Sequence, residues 1–488
     1  MLMPMGDIPD FHVNRLGGER LAVVHGEDRL SWGELARRVT RRANALLAQG
    51  VAKDDIVTIS LPNCNALYEL AFACWKVGAT PSLLSYRLPR SEFTAVLDLM
   101  RPKLVFASDP DIIAAVDALP AAFGLNEGGD RRVESVVGTY WKAMTSGGST
   151  GRPKIIVDHQ PGEVDPFAPL LNVPQDKAVL NPGPLYHNAP FRFTVGALHR
   201  GNAIVSMAKF DAEEALRLIE QYGVAWAMMV PTMMNRIWRL PDEVRARYDV
   251  ASLEAVWHSA APMPAWLKEA WIAWIGAEKV WEIYGGTERQ GNTILDGAEW
   301  QAHPGSVGRA YNCSIRILDE AGRQLPAGEI GEVFLRPDAG PGNTYHYLGA
   351  EPRRASEGYE TIGDYGWLDE DGYLFLADRR TDLIISGGAN IYPAEVESAL
   401  MEHPDVDIAV VIGVPHEDMG SVPHAIIKRA AGGGDLDEGV LRAFVEQRLS
   451  RSKTPRSYEF TEEELRDEAG KVRRSELRSH VLERIAAA

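Results

Sequence analysis

Three cysteines, Cys64, Cys74 and Cys313, are scattered over 488 residues. They are too few and too dispersed for a disulfide framework or a zinc site, and a reducing cytoplasm is the simplest home. Also missing is any apolar run approaching the ~18 residues of a membrane span. The richest stretch, residues 224–234, contains Pro231. Residues 1–11 carry Asp7 and Asp10 and no basic region ahead of an apolar core, which argues against a secretory signal. Positive charge is in deficit: 51 Lys and Arg stand against 68 Asp and Glu, a net charge of −17. That balance disfavours binding to nucleic acid or to anionic lipid. It leaves small anionic ligands open, because a local cluster of donors overrides the global field.

What is present suits a soluble globular chain, with 45% hydrophobic and 24% charged residues. Ser31-Trp32-Gly33-Glu34 reads as a capping box opening a helix that Gly50 stops. Strands are expected at 56–61, 81–84, 104–107, 226–230, 255–259 and 280–283, with a helix at 67–77. Alternating strand and helix implies crossover connections and an α/β unit of mixed, mainly parallel sheets. After residue 380 the texture becomes α+β. Pro393 begins a helix with Glu395 and Glu397 in its first turn, strands follow at 407–414 and 425–428, and Gly432-Gly433-Gly434 is a loop before another helix. The expected division is a large unit over 1–380 and a small mobile one over 381–488, hinged near Thr381. Asp369, Asp371 and Gly372 read as a hairpin turn only.

One segment concentrates chemistry. Thr145-Ser146-Gly147-Gly148-Ser149-Thr150-Gly151-Arg152-Pro153-Lys154 packs hydroxyls, glycines and a lysine into ten residues. Glycines let backbone N–H groups approach an anion, hydroxyls add donors, and lysine adds a point charge. Such a loop suits polyphosphate. It is not the P-loop of nucleoside triphosphatases, since no Gly-Lys-Ser/Thr follows at the required spacing. Downstream lie Tyr284-Gly285-Gly286-Thr287-Glu288, Gly363-Asp364, Asp378-Arg379-Arg380-Thr381-Asp382, Gly387-Gly388 and Gly470-Lys471.

In type and order these motifs resemble the AMP-forming adenylate-forming superfamily of acyl-CoA synthetases, luciferases and peptide-synthetase adenylation domains. The resemblance spans residues 11–477 and implies ATP, coenzyme A and Mg²⁺ as cofactors. It assigns Thr145 through Gly151 and Lys154 to the phosphates, Thr287 to the α-phosphate and Glu288 to the metal. Tyr284 and Gly285 on one side and Ala260, Ala261 and Pro262 on the other would hold the adenine. Asp364 and Arg379 would take the ribose. Lys471 would reach the reacting carboxylate and α-phosphate, His187 would sit beside the acyl site, and Gly387 and Gly388 would face the thiol arm.

Four departures from the resemblance stand out. Leu465 occupies a frequent proline position, and the lead-in Arg466-Asp467-Glu468 is unusually acidic. Thr381 sits at the hinge. Arg289 follows Glu288, where it would pair with that acid and compete with the metal, or else contact phosphate. Phe193, Met228, Met229, Met233, Met234 and Trp257 are candidates to line an apolar pocket. The wording around residues 226–234 and 258–264 looks most like ligases for bile, steroid and terpenoid acids. No acid near His187 matches the one amino-acid-activating domains use. The leading expectation is a CoA ligase for a bulky hydrophobic acid. Its alternatives are a specialist that forms the thioester from a supplied acyl-adenylate, an adenylating enzyme without CoA transfer, and an inactive nucleotide sensor. A homodimer is compatible with each.

Overall fold

The computed structural model describes residues 1–145, 154–379, 382–386, 389–430, 436–468 and 470–487. Its first sheet has a parallel core in the order Leu21–His25, Ala203–Ser206, Ala178–Asn181, Val224–Met229, Ala255–His258 and Val280–Gly285. A second sheet runs Leu119–Pro120, Leu104–Ala107, Ile56–Ser60, Thr80–Leu83, Lys142–Thr145, Ile155–Asp158 and Tyr345–Leu348. Its last two pairings are antiparallel.

Between the two sheets lies the helix Asn65–Val77, hydrophobic on every side and buried from end to end. A helix with apolar residues all round belongs inside. Tyr68 Oη reaches Ser206 Oγ of the first sheet at 3.0 Å, and Trp75 Nε1 donates to the Trp141 carbonyl beside the second at 2.6 Å. The capped helix Trp32–Ala48 packs on it, and Ser31 Oγ accepts from the Glu34 N–H. The expected capping box is only half formed, because the Glu34 carboxylate turns to Arg37 and Arg38 instead.

From residue 292 the chain departs from α/β alternation. Asn292–Asp296, Gly308–Tyr311, Tyr373–Arg379 and Asp364–Leu368 extend the first sheet with antiparallel partners. Asp369 closes the last hairpin as expected, accepting from the N–H groups of Asp371 and Tyr373. The C-terminal residues build their own sheet from Val406–His416, Gly420–Arg429, Ile384–Ser386, Ala389–Ile391 and Ser457–Thr461. Two apolar clusters flank it, around Val396, Leu400 and Leu441 on one side and Ile408, Leu465 and Val481 on the other. Leu465 therefore fills a core that proline would fill less well. Thr381, the glycines 432–434 and their loop lie outside the described residues.

An ion pair with both side chains 1% exposed, Arg42 with Glu69 at 2.6 Å, ties the two N-terminal helices. Removing one partner of such a pair strands a buried charge, at a cost of about 3–5 kcal/mol. Glu69→Ala is expected to lower the thermal midpoint markedly in calorimetry. An unchanged midpoint would mean the pair is not buried as described.

Candidate active site

Open α/β sheets bind ligands at the carboxyl ends of their parallel strands, and the sequence motifs gather at one such edge. His187 follows Ala178–Asn181, Val230 follows Val224–Met229, Ala260 follows Ala255–His258, and Tyr284 to Glu288 close Val280–Gly285. Neighbouring pairing of the last two strands sets Ala260, Ala261 and Pro262 beside Tyr284 and Gly285. Ala260 has φ +75°, a left-handed backbone that L-residues adopt at a cost. Tyr284 Oη donates to Asp364 Oδ2 at 2.8 Å, linking the expected adenine and ribose residues. Thr287 lies half-buried in the intervening turn.

Glu288 is buried, and its Oε1 accepts from Tyr347 Oη at 2.7 Å and from Lys154 Nζ at 3.4 Å. Lys154 also lies 4.5 Å from the Tyr347 ring centroid. The Glu288 Oε2 has no hydrogen bond among the described residues. A Cβ at position 286 would meet that oxygen at 2.6 Å, so glycine keeps the space open. The Glu288 charge beside it is one cause, after burial, of the raised Tyr347 phenol pKa. Tyr347 was not singled out from the sequence; its only signal is a run of alternating aromatics, Tyr345 and Tyr347, in an edge strand.

Arg289 corrects an expectation. It does not pair with Glu288. The turn from Gly286 closes with the Arg289 N–H on the Gly286 carbonyl, and Arg289 takes φ +55°. Its guanidinium is carried to Asp158 Oδ1 at 2.6 Å and to Gln160 at 3.4 Å. The six candidate pocket-lining residues are all buried. Phe193, Met228 and Trp257 belong to one buried core cluster, and Met229, Met233 and Met234 to another.

Lys471 is exposed and faces His187 across the two parts of the chain. Burial lowers the His187 pKa to about 4, and the Lys471 ammonium adds to the shift while Asp467 opposes it. Gly470, at φ +75°, turns the loop so that a Cβ there would stand 3.5 Å from Val230. The acidic lead-in has a clear structural use. Glu468 accepts from Tyr186 Oη at 3.1 Å and pairs with Arg87 at 2.7 Å, while Glu464 bridges Arg236 and Lys428. Arg239 donates to the carbonyls of Pro404 and Val406, both at 2.7 Å.

Thr145 ends the strand that enters the glycine-rich loop. Ser146, Gly147, Gly148, Ser149, Thr150, Gly151, Gly387 and Gly388 lie outside the described residues, and so does the Arg379 side chain. Among the described residues one group, His303, Asp369 and Asp371, has metal-ligand spacing. Asp369 already holds the hairpin turn and His303 at 3.0 Å.

Similarity to known proteins agrees with this geometry. A family model described as AMP-binding enzyme matches residues 11–348, and one described as AMP-binding enzyme C-terminal domain matches 395–471. A feruloyl-CoA synthase of Amycolatopsis sp is 33% identical over 482 residues, covering 95% of this chain and 96% of that protein. An indoleacetate–CoA ligase of Aromatoleum aromaticum is 30% identical, covering 95% of each. The o-succinylbenzoate CoA synthetase of Bacillus subtilis superposes with a TM-score of 0.81 in its acyl-adenylate complex, at 25% identity and 98% coverage of both chains. It has also been solved with ATP and a magnesium ion.

His187 folds with a depressed pKa, and burial lowers His258 to about 4 and His199 to about 3 as well. The unfolded chain therefore takes up protons that the folded chain refuses between pH 6.5 and about 4. Stability is full above that window and is lost as pH falls through it. The thermal midpoint is expected to drop between pH 7 and pH 5, and the ¹³Cε1 resonance of His187 to titrate near pH 4. A His187 midpoint near 6.5 would contradict the buried neutral imidazole.

Proposed function

The chain belongs to the AMP-binding enzyme family, and from that membership we propose that it joins a carboxylic acid to coenzyme A through an acyl-adenylate, converting ATP to AMP and pyrophosphate. The observation that carries this reading is the meeting of Lys471, from the C-terminal part, with His187 at the strand ends where Glu288, Tyr284 and Asp364 also gather. A carboxylate oxygen attacks the α-phosphorus, and pyrophosphate leaves. That step gathers negative charge, so fixed donors and positive charge are its main need. Lys471 supplies a mobile cation there, and neutral His187 packs beside it without adding a second. Tyr284 and Asp364 hold the nucleoside, the acid accepting from the ribose hydroxyls.

A divalent cation fits beside Glu288. One of its oxygens is held by Tyr347 and Lys154, and the other is left for a ligand, which suits Mg²⁺ bound by one carboxylate and phosphate oxygens. Bound there, Mg²⁺ would neutralise phosphate charge. The thiol of coenzyme A then attacks the acyl carbon, and AMP departs with the oxygen that linked it. The reading of a thioester-only specialist rested on Arg289 blocking Glu288. With Arg289 on Asp158, that basis is gone.

For the acid we propose an apolar frame of aryl, terpenoid or steroid type. Support comes from the feruloyl and indoleacetate ligases among the relatives and from Ala189 and Phe193 just beyond His187. The three thiols are free, which supports a reducing compartment.

A panel of aryl, polycyclic and aliphatic acids with MgATP and coenzyme A is expected to yield AMP and an acyl-CoA of matching mass; ADP in place of AMP would refute the route. Lys471→Ala is expected to slow acyl-AMP formation by ~10²–10³-fold while sparing thioester formation from supplied acyl-AMP. Equal damage to both half-reactions would remove its selective role.

A further inference from the structure

Two cations share the Asp158 carboxylate, and a third, Arg192, stands near them without a partner of its own among the described residues. Lys142 and Asp158, 1% and 2% exposed, face each other across the hairpin at 3.6 Å, and Arg289 pairs with the same acid at 2.6 Å. Lys142 Nζ also donates to Asn188 Oδ1. Arg192 stands one helical turn beyond Asn188, half-buried, with its guanidinium 5.9 Å from the Phe193 ring centroid. Among the described residues Arg192 has no hydrogen-bond or ion-pair partner, and its charge is felt by Arg289, Asp158 and Tyr311. Burial alone would raise the Asp158 pKa, yet Lys142 and Arg289 hold it below the ordinary carboxylate value. Burial lowers Lys142 to about 8, which leaves it mostly charged at neutral pH.

Charges removed from water are ordinarily paired. Here Asp158 can balance one of the three cations, of which Lys142 is buried and Arg289 and Arg192 are partly exposed, so the cluster carries an excess of positive charge that a ligand could reach. Two anions already belong to the reaction, and the described residues that lead to each lie away from the cluster. The phosphate loop leaves the hairpin at Thr145 and Ile155, three residue pairs above Lys142 and Asp158, or roughly 10 Å along the strands. The reacting carboxylate belongs beside Lys471 and His187. Arg192 lies five residues past His187 on the helix Asn188–His199, a turn deeper and roughly 6 Å further from that end.

We propose that Arg192, Lys142 and Arg289 form a subsite for a second anionic group at the far end of the acid, a distal carboxylate roughly 6–10 Å from the one that is activated. This inference rests on the ligase reading and narrows its substrate to diacids with an apolar middle. Phe193 and Ala189 flank the apolar part, Asn188 holds the Lys142 ammonium, and Asp158 fixes Arg289 so that Arg192 is left to the ligand. A site whose cations need an anion discriminates strongly against an analogue that lacks it.

Matched acids test the proposal: octanoate against suberate, and 3-phenylpropanoate against its para-carboxy derivative, read as kcat/KM for acid-dependent AMP release. The diacids are expected to be favoured by ~10²-fold or more. Arg192→Met and Lys142→Met are expected to lower the diacid-to-monoacid ratio by a similar factor. Arg192→Lys, which keeps the charge, is expected to retain part of the preference, and thermal midpoints verify that each variant folds. Equal loss on both acids of a pair in Arg192→Met would make the arginine a partner of the reacting carboxylate and overturn the subsite. AMP release from octanoate with no gain for suberate would overturn it and leave the ligase reading standing. No AMP release from any acid would overturn both.

Discussion

The hairpin formed by Lys142–Thr145 and Ile155–Asp158 is the constraint on which the site depends. Its tip carries the glycine-rich loop, and its base carries a lysine and an aspartate in register across two apolar strands. At an effective dielectric near 20, two charges ~4 Å apart attract by about 4 kcal/mol before desolvation is counted. That attraction holds both Lys142 and Arg289 on Asp158, against the repulsion between the two cations. Because Arg289 directly follows Glu288, the same contact ties the acid at the end of one sheet to the base of the hairpin in the other. Glu288 is then held from the second side by Lys154 and Tyr347. Two sheets packed on the buried helix Asn65–Val77 are thereby joined again at the point where chemistry is proposed.

Charge distribution completes the assembly. A chain with a net charge of −17 places its acids on the loop that brings Lys471 in. Glu464 and Glu468 meet Arg236, Arg87 and the Tyr186 hydroxyl on the large part. These pairs are partly exposed, so each contributes little on its own. Their worth lies in orientation. They set Gly470 against Val230 and direct Lys471 toward His187.

Much of this was legible in the residues. Strands such as 104–107 and the helix at 67–77 follow from apolar periodicity, and the hairpin turn at Asp369 follows from its Asp and Gly. Tyr284, Asp364, Glu288, Lys154, His187 and Lys471 are found by motif, and Tyr284 meets Asp364, Glu288 meets Lys154 and Lys471 faces His187. Side-chain direction was not legible. The left-handed turn at Arg289 sends its guanidinium away from Glu288, and no local pattern announces that. Methionine richness suggested a pocket, and those side chains lie in two buried clusters. Lys142 and Asp158 did leave a trace, as lone charges in otherwise apolar strands at mirrored distances from the loop. Their meaning needed the register that pairs them. The antiparallel strands after residue 292 are short, and several run half-exposed, so their periodicity is weak.

The route through an acyl-adenylate is tested most directly by following an oxygen atom. An acid labelled with ¹⁸O in its reacting carboxylate is turned over with MgATP and coenzyme A, and the products are weighed. The account predicts one labelled oxygen in the phosphate of AMP, because the carboxylate oxygen that attacks phosphorus leaves with it when the thiol displaces the nucleotide. Unlabelled AMP, or label in inorganic phosphate alongside ADP, would contradict it.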